Sequence, residues 1–428
     1  MKKIMKDKEL TIVDLKYGRG NIKFTLPEDI PRAILRSKAQ EALPNPKKVI
    51  LQALRSPIAS APLREKFCPG ESVCIIVNDA TRVARSEIFL PLLIEEILTA
   101  GVREEDIFII FASGTHRPLN REEMVALVGE EIASRFSLYN HDCRDEEELV
   151  FLGCTSFGTP VQINRKAFEA DHRILTGSVV HHFFAGFGGG RKALVPGVAG
   201  WETIRRNHSL LLDERASTGR LTGNPVHEDL LEAALLAGGD FLLNTVLNEE
   251  HEIVQVFAGD MVEAHLAACA LVEDINGVKI NSLADVVIAS CGGYPKDINM
   301  YQAHKSLDNA IAALKPGGTV IFLAQCLEGV GSELYEEWVE KGSSLMEMKE
   351  ILQRNFLLGG HKAYTVARLL QKGTVYLLSD FKPEKSGRLG FISVRNMEEA
   401  IAKIYRERRD LFTYIIPQAS TTIPRPVG

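Results

Sequence analysis

Short apolar runs alternate with amphipathic stretches along most of this 428-residue chain. The run 72–79, SVCIIVND, stays apolar until a polar tip, the pattern of a buried strand. The segment 89–101, FLPLLIEEILTAG, has the apolar spacing of a helix and ends at a glycine. The runs 106–116 (DIFIIFASGTH) and 171–180 (DHRILTGSVV) read as two further strands with polar ends. Strand, helix and strand in this order predict a largely parallel sheet. Ligands of such sheets sit beyond the carboxyl ends of the strands. Asp79, Arg82, His116 and His182 each follow a predicted strand end, so they can converge from distant positions.

The alternation resumes after about residue 280. A strand and glycine loop (284–297, ADVVIASCGGYPKD) precede a helix (302–318, QAHKSLDNAIAALKPGG) that Pro-Gly-Gly is expected to close. Strands over 319–329 and 373–380 follow. The expected organisation is a first domain over 1–278, joined by the terminal segment 398–428, and a smaller α/β domain over 279–397. The opening MKKIMKDKELTIVDLKYG reads as a flexible end entering a strand, with neither apolar core nor cleavage site of a leader, which predicts a cytoplasmic protein.

Lys and Arg number 50 against 56 Asp and Glu, a net charge of −6. That balance argues against a nucleic-acid partner. No run reaches the roughly 18 apolar residues of a membrane span. The seven cysteines, Cys68, Cys74, Cys143, Cys154, Cys269, Cys291 and Cys326, are scattered and form no C-x-x-C pair. Core packing is the expectation for Cys74, and neither a disulfide framework nor a zinc–cysteine site is expected.

The chemistry concentrates in 176–200, TGSVVHHFFAGFGGGRKALVPGVAG. His181 and His182 precede Gly186 and Gly188–Gly190, and Arg191 and Lys192 follow at once. Glycine permits close backbone approach and offers bare N–H groups to anionic oxygens. Histidine exchanges protons near neutral pH, and a lysine amine can bond covalently to a carbonyl-type carbon. The spacing matches neither a P-loop nor a dinucleotide fingerprint. An ordinary turn followed by a solvated lysine is the plainer alternative.

Other polar clusters lie at element ends. The loop Asn78–Arg82 offers a carboxylate and a guanidinium suited to an anion, although Asp79 can also cap a helix. Ser113–Pro118 places His116 in a loop. His208 stands alone as a metal ligand; if it binds a metal, the other ligands must come from outside this chain. Gln302 and Lys305 share one face of a helix start, where an anion is favoured. His361–Tyr364 is a further polar cluster.

Together these segments resemble the nickel-dependent lactate racemase family over nearly the whole chain. The matching motifs are D-x-T-R, G-T-H-R-P, H-F-F-A-G-F-G-G-G-R-K with His208 beyond it, and G-G-Y-P…Y-Q-A-x-K. The resemblance implies two α/β domains with mainly parallel sheets and an active site in the cleft between them. It implies a racemase or epimerase of 2-hydroxy acids, with a nickel-pincer nucleotide (a pyridinium-3-thioamide-5-thiocarboxylate mononucleotide carrying nickel) as transient hydride acceptor. On this match Lys192 carries the cofactor, His208 ligates nickel, and His116 and His182 are the paired acid/base groups. Asp79, Ala80, Thr81 and Arg82 belong to the cofactor site, with Arg82 also facing substrate, and Gln302 and Lys305 bind substrate. The implied partners are a small 2-hydroxy acid and cofactor-assembly enzymes.

Two departures bear on the substrate. Val83-Ala84-Arg85-Ser86 follows Arg82 where the family typically has proline. The tryptophans, Trp201 and Trp338, both lie outside the HKAYTVARLL segment. An acid larger or more polar than lactate is therefore expected, with Arg85 as a second cation. The alternatives are a nicotinamide-dependent 2-hydroxy acid dehydrogenase, whose fingerprint is absent, and a non-catalytic nucleotide-binding protein of the same fold.

Overall fold

The structure, a computed structural model, describes residues 10–427. They form two compact units, an inner one over Ala39–Ile275 and a flanking one built from the residues before and after it.

The inner unit holds a six-stranded sheet. Its order is Ile253–Gly259, Phe241–Leu247, His172–Ser178, Val73–Asn78, Ile107–Ala112 and Ser137–Asn140. All neighbours are parallel except the Ile253 edge strand. The first of the parallel strands, Val73–Asn78, lies in the middle. The chain runs from it to one edge, then returns to fill the other side. That reversal is a topological switch point, where a crevice opens beyond the strand ends. Every residue from Val73 to Val77 is fully buried, which explains the unbroken apolar run. The helix Ser86–Thr99 presses Phe89, Leu90, Leu93, Ile94 and Ile97 into the same core. Gly101, at φ +98°, takes the left-handed turn that follows this helix.

The flanking unit has its own six-stranded sheet, parallel throughout. The order is Ile392–Ser393, Gly373–Leu378, Leu314–Leu323, Ala284–Ser290, Thr413–Ile416 and Arg32–Ile34. A hairpin, Leu10–Tyr17 with Gly20–Pro27, turns Val13, Leu15, Phe24 and Leu26 into this core.

This arrangement corrects the expected domain division. Residues 10–38 and the terminal segment belong to the flanking unit, not to the first domain. Thr413–Ile416 is inserted between the Ala284 and Arg32 strands, and Ile423–Pro426 pairs with Gly277–Ile280. All four residues of Thr413–Ile416 are buried. A short apolar run of that kind fits the middle of any sheet, so its pattern does not name its partner.

A second correction concerns the helix expected over 302–318. It spans Met300–Ile311, with Asn299 as its cap, and Lys315–Gly318 already lie in the next strand. The pairing shifts register there, Ala284 opposite Leu314 and Val286 opposite Thr319, so Pro-Gly-Gly forms a bulge. The strand expected over 171–180 ends at Ser178, and those expected to reach 116 and 329 end at Ala112 and Leu323. The flexible end expected at the start lies mostly outside the described residues. Among the described residues no helix is long and apolar enough to cross a membrane, and all seven cysteines are free.

Candidate active site

Asp79, His116 and the His181–His182 pair follow three adjacent strands, Val73–Asn78, Ile107–Ala112 and His172–Ser178. Hydrogen bonds tie their loops together. Ser178 Oγ donates to the Val83 carbonyl at 2.7 Å, and the Gly114 N–H donates to the Gly197 carbonyl at 2.9 Å.

Asp79 is buried, and its Oδ2 lies 2.5 Å from His116 Nδ1. Its Oδ1 accepts from the Thr81 hydroxyl at 2.8 Å and the Thr81 N–H at 3.3 Å. Burial pushes the Asp79 carboxyl upward. The hydrogen bond and charge of His116, with Thr81 and Arg82, outweigh burial and hold it below the usual carboxylate range. An ionised carboxylate only accepts, so His116 carries its proton on Nδ1 and presents the Nε2 lone pair. The His116 side chain is 44% exposed, so that nitrogen is accessible. Ala80, Thr81 and Arg82 are exposed on the same loop.

The adjacent histidines separate cleanly. The His181 side chain is 6% exposed, with Nε2 2.8 Å from Glu273 and its ring against Phe187, so it props the loop. His182 Nδ1 instead accepts the Ala185 N–H at 3.2 Å. A backbone N–H only donates, so a neutral His182 carries its proton on Nε2. The two expected acid/base histidines are thus held in opposite tautomers.

Phe184 gathers the rest of this site. Its ring centroid lies 4.5 Å from His182, 5.1 Å from His208 and 5.7 Å from Lys192 Nζ. The ring is buried, and Asn224 Nδ2 pins its backbone carbonyl at 2.9 Å. His208 rides the last turn of the helix Trp201–Ser209, which neighbouring Asn207 anchors by donating to Asp229 at 2.8 Å. Pattern reading passed over Phe184 because an aromatic in an apolar segment looks like core.

The glycines work differently from expectation. A Cβ at Gly190 would stand 2.5 Å from His265, and one at Gly189 would stand 2.7 Å from Asn244. Their backbones are at φ +55° and +72°. The Gly188 N–H donates to the Val180 carbonyl, and the Gly190 N–H donates to Asn244 Oδ1. The N–H groups of Gly188 and Gly190 are thus consumed by the protein, and Gly189 and Gly190 serve close packing and turn geometry.

Sequence reading also passed over the role of Arg191. It is 1% exposed, makes no ion pair among the described residues, and donates to the Ala185 and Phe187 carbonyls at 2.9 and 3.2 Å. Burial lowers its guanidinium to about 10. Burial, then the Arg191 charge, lowers His227 to about 3 and pushes His265 well below its usual value, so both stay neutral.

In the flanking unit Lys305 Nζ donates to Gln302 Oε1 at 2.9 Å, confirming that they share a helix face. Lys362, of the HKAY cluster, is buried with Nζ 3.3 Å from His304 Nε2. His304 Nδ1 donates to the Tyr301 carbonyl, and burial followed by nearby lysine charge keeps His304 neutral.

Two expectations about the substrate lose support. Arg85 Nε is 2.6 Å from Glu87, and its Nη1 donates to the His251 carbonyl at 3.0 Å. Arg85 therefore ties its own loop instead of offering a second cation. The helix Gly360–Leu370 does have a neighbouring tryptophan: Trp338, from the helix Glu333–Glu340, packs so closely that a Cβ at Gly360 would stand 2.6 Å from its indole. The other, Trp201, lies under the Arg144 guanidinium.

Comparison with known proteins agrees with this architecture. Residues 17–219 match the lactate racemase N-terminal domain, and residues 279–423 match the lactate racemase C-terminal domain. A lactate racemase of Thermoanaerobacterium thermosaccharolyticum is 36% identical over 378 residues, 86% of this chain and 88% of that protein. A lactate racemase of Lactiplantibacillus plantarum is 32% identical over 424 residues, 95% of this chain and 98% of that protein. The lactate racemase apoprotein structure from T. thermosaccharolyticum superposes with a TM-score of 0.88 at 33% identity, covering 97% of this chain and all of that one. A Thermotoga maritima protein shares the fold at a TM-score of 0.63 and 19% identity, covering 89% of this chain and 98% of that one. Relatives of this identity, matched over most of both lengths, establish that the chain is an isomerase belonging to the lactate racemase family.

Proposed function

We propose that this chain racemises a 2-hydroxy acid of about lactate's size, with His116 and His182 moving the hydroxyl proton. The observation that carries the reading is the pair of oppositely set imidazoles on the loops after the two strands that flank Val73–Asn78. His116 Nε2 is ready to accept a proton, and Asp79 stabilises the imidazolium that results. His182 Nε2 presents a hydrogen to the substrate oxygen. To return the proton, His182 must first be an imidazolium, which asks it to release the Ala185 N–H and take a proton on Nδ1. It then gives up the Nε2 proton and keeps Nδ1–H. For the other antipode that Nε2 lone pair accepts while the His116 imidazolium donates. Arg82, exposed on the loop that carries Asp79, is the proposed holder of the substrate carboxylate. Gln302 and Lys305, on one face of the helix Met300–Ile311, are the further donors proposed for substrate.

The α-carbon of a 2-hydroxy acid is poorly acidic, so the reaction needs a hydride acceptor. A nickel-pincer nucleotide supplies that when bound. The donor set fits such a group. No cluster of three His, Cys, Asp or Glu among the described residues could hold a metal ion. A metal on His208 therefore takes its other ligands from elsewhere, which a pincer nucleotide offers. Lys192 shares the Phe184 ring with His208 and is the amine for attachment. Asp79 through Arg82 complete the polar wall.

Lactate size is favoured because Arg85 is engaged by Glu87 and the His251 carbonyl. The lactate racemase relatives support it too. The test is expression alongside cofactor-assembly enzymes, with chiral chromatography of D- and L-lactate, a nickel assay and mass analysis of the Lys192 peptide. Racemisation with nickel and a Lys192 adduct is expected. Nickel-loaded, adducted protein inactive on every 2-hydroxy acid would refute the activity; racemisation with unmodified Lys192 would refute the attachment.

A further inference from the structure

We infer that Arg191 is a positioning residue for His182, acting through Ala185 to hold the imidazole in its Nε2–H tautomer. Ala185 is clamped from both sides. Its N–H donates to His182 Nδ1, while its carbonyl accepts from Arg191 Nη2 at 2.9 Å and from the Phe187 N–H at 2.9 Å. The same Nη2 reaches the Phe187 carbonyl at 3.2 Å, so one nitrogen spans the turn. The turn has little freedom to relax. At Gly186, φ +74°, a Cβ would stand 2.1 Å from the Arg220 carbonyl.

The choice of a cation is informative. Arg191 Nε has no hydrogen-bond partner, and no carboxylate pairs with the guanidinium among the described residues. Burying an uncompensated charge is costly, and a neutral donor would hold a turn more cheaply. What arginine adds is a charge that strengthens both bonds from Nη2, on a planar head with a fixed approach to the turn. His265, from the helix Glu263–Asn276, packs beside the guanidinium with Nε2 3.1 Å from Nη1 and 2.9 Å from the Gly188 carbonyl. Loss of the guanidinium frees Ala185 to turn its N–H from His182, and Nδ1 then competes for the ring proton.

The inference rests on the proposed role of His182, so its test is a readout on apo-protein that does not depend on activity. Full-length protein with ¹⁵N-labelled histidine is examined by long-range ¹H–¹⁵N correlation, with His182→Gln assigning the His182 signals. Wild type is expected to show the Nε2–H pattern. Arg191→Met should move the His182 nitrogens toward the average of both tautomers while His116 keeps its Nδ1–H pattern. Arg191→Lys, a single-point donor, should move them part of the way. An Nδ1–H pattern in wild type would overturn the inference whether or not any variant folds. So would an unchanged His182 pattern in Arg191→Met or Arg191→Lys that keeps the His116 signals. If the shifts appear but loaded His182→Gln racemises normally, the positioning stands and the proposed role of His182 falls.

Discussion

Replacing Asp79 by Asn tests the His116 assignment most directly. The surroundings dictate which way the amide faces. The Thr81 N–H points at Oδ1, and a backbone N–H only donates, so that position must keep an oxygen. The amide nitrogen is steered to the Oδ2 position, 2.5 Å from His116 Nδ1. Nδ1 then becomes the acceptor, the proton moves to Nε2, and the base is lost. Loss of the charge-assisted bond removes roughly 1.5–3 kcal/mol of support for the imidazolium, and the reversed tautomer adds roughly 1 kcal/mol. At about 1.36 kcal/mol per decade, kcat/KM should fall roughly 100- to 1000-fold. Antipodes have an equilibrium constant of one, so the fall must be equal in both directions. The assay is chiral chromatography on cofactor-loaded enzyme, with nickel content measured alongside. The Asp79 carboxyl is held below its ordinary value. Its stabilisation is therefore present above about pH 4 and fades as pH drops through the folded value, so the variant's stability deficit should shrink in acid. Activity within about threefold of wild type at equal nickel loading would refute the reasoning, since a general base contributes roughly 100-fold or more.

His182→Gln should lose roughly 100-fold or more in both directions, whereas His181→Gln should mainly lower stability; the reverse pattern would exchange their assignments. His208→Ala should fold but lose nickel, read by metal analysis, and full occupancy would exclude His208 as a ligand. Stability should fall on acidification because His227, lowered to about 3, must stay neutral when folded while the unfolded chain takes up a proton below about 6.5. By pH 4 that is about 2.5 pH units at 1.36 kcal/mol each, or about 3 kcal/mol, and denaturant titrations of His227→Asn should show a correspondingly shallower slope. Arg85→Ala should leave the ranking of substrates in a 2-hydroxy acid panel unchanged, because Arg85 is engaged by Glu87 and His251; altered selectivity for larger acids would restore it as a substrate contact.

Local pattern carried much of this molecule. The apolar run at Val73–Val77 announced a buried strand, and parallel topology placed Asp79, His116 and His182 beyond adjacent strand ends. Residue types with unusual chemistry, such as a lone histidine at 208 and a lysine after glycines, were legible because their chemistry is intrinsic to the side chain. Roles set by neighbours from distant sequence were not. His181 and His182 look alike in a string of letters; Glu273 and the Ala185 N–H separate them. The glycines suggested an anion cradle, but the close approach of His265 and Asn244 that Gly190 and Gly189 permit comes from distant sequence. Thr413–Ile416 was readable as a strand but not as a member of the flanking sheet, because pairing partners are chosen by long-range packing. Tautomer, burial and partner choice depend on what folding brings within about 3 Å, and hydrogen bonding at that range is decided only by tertiary structure.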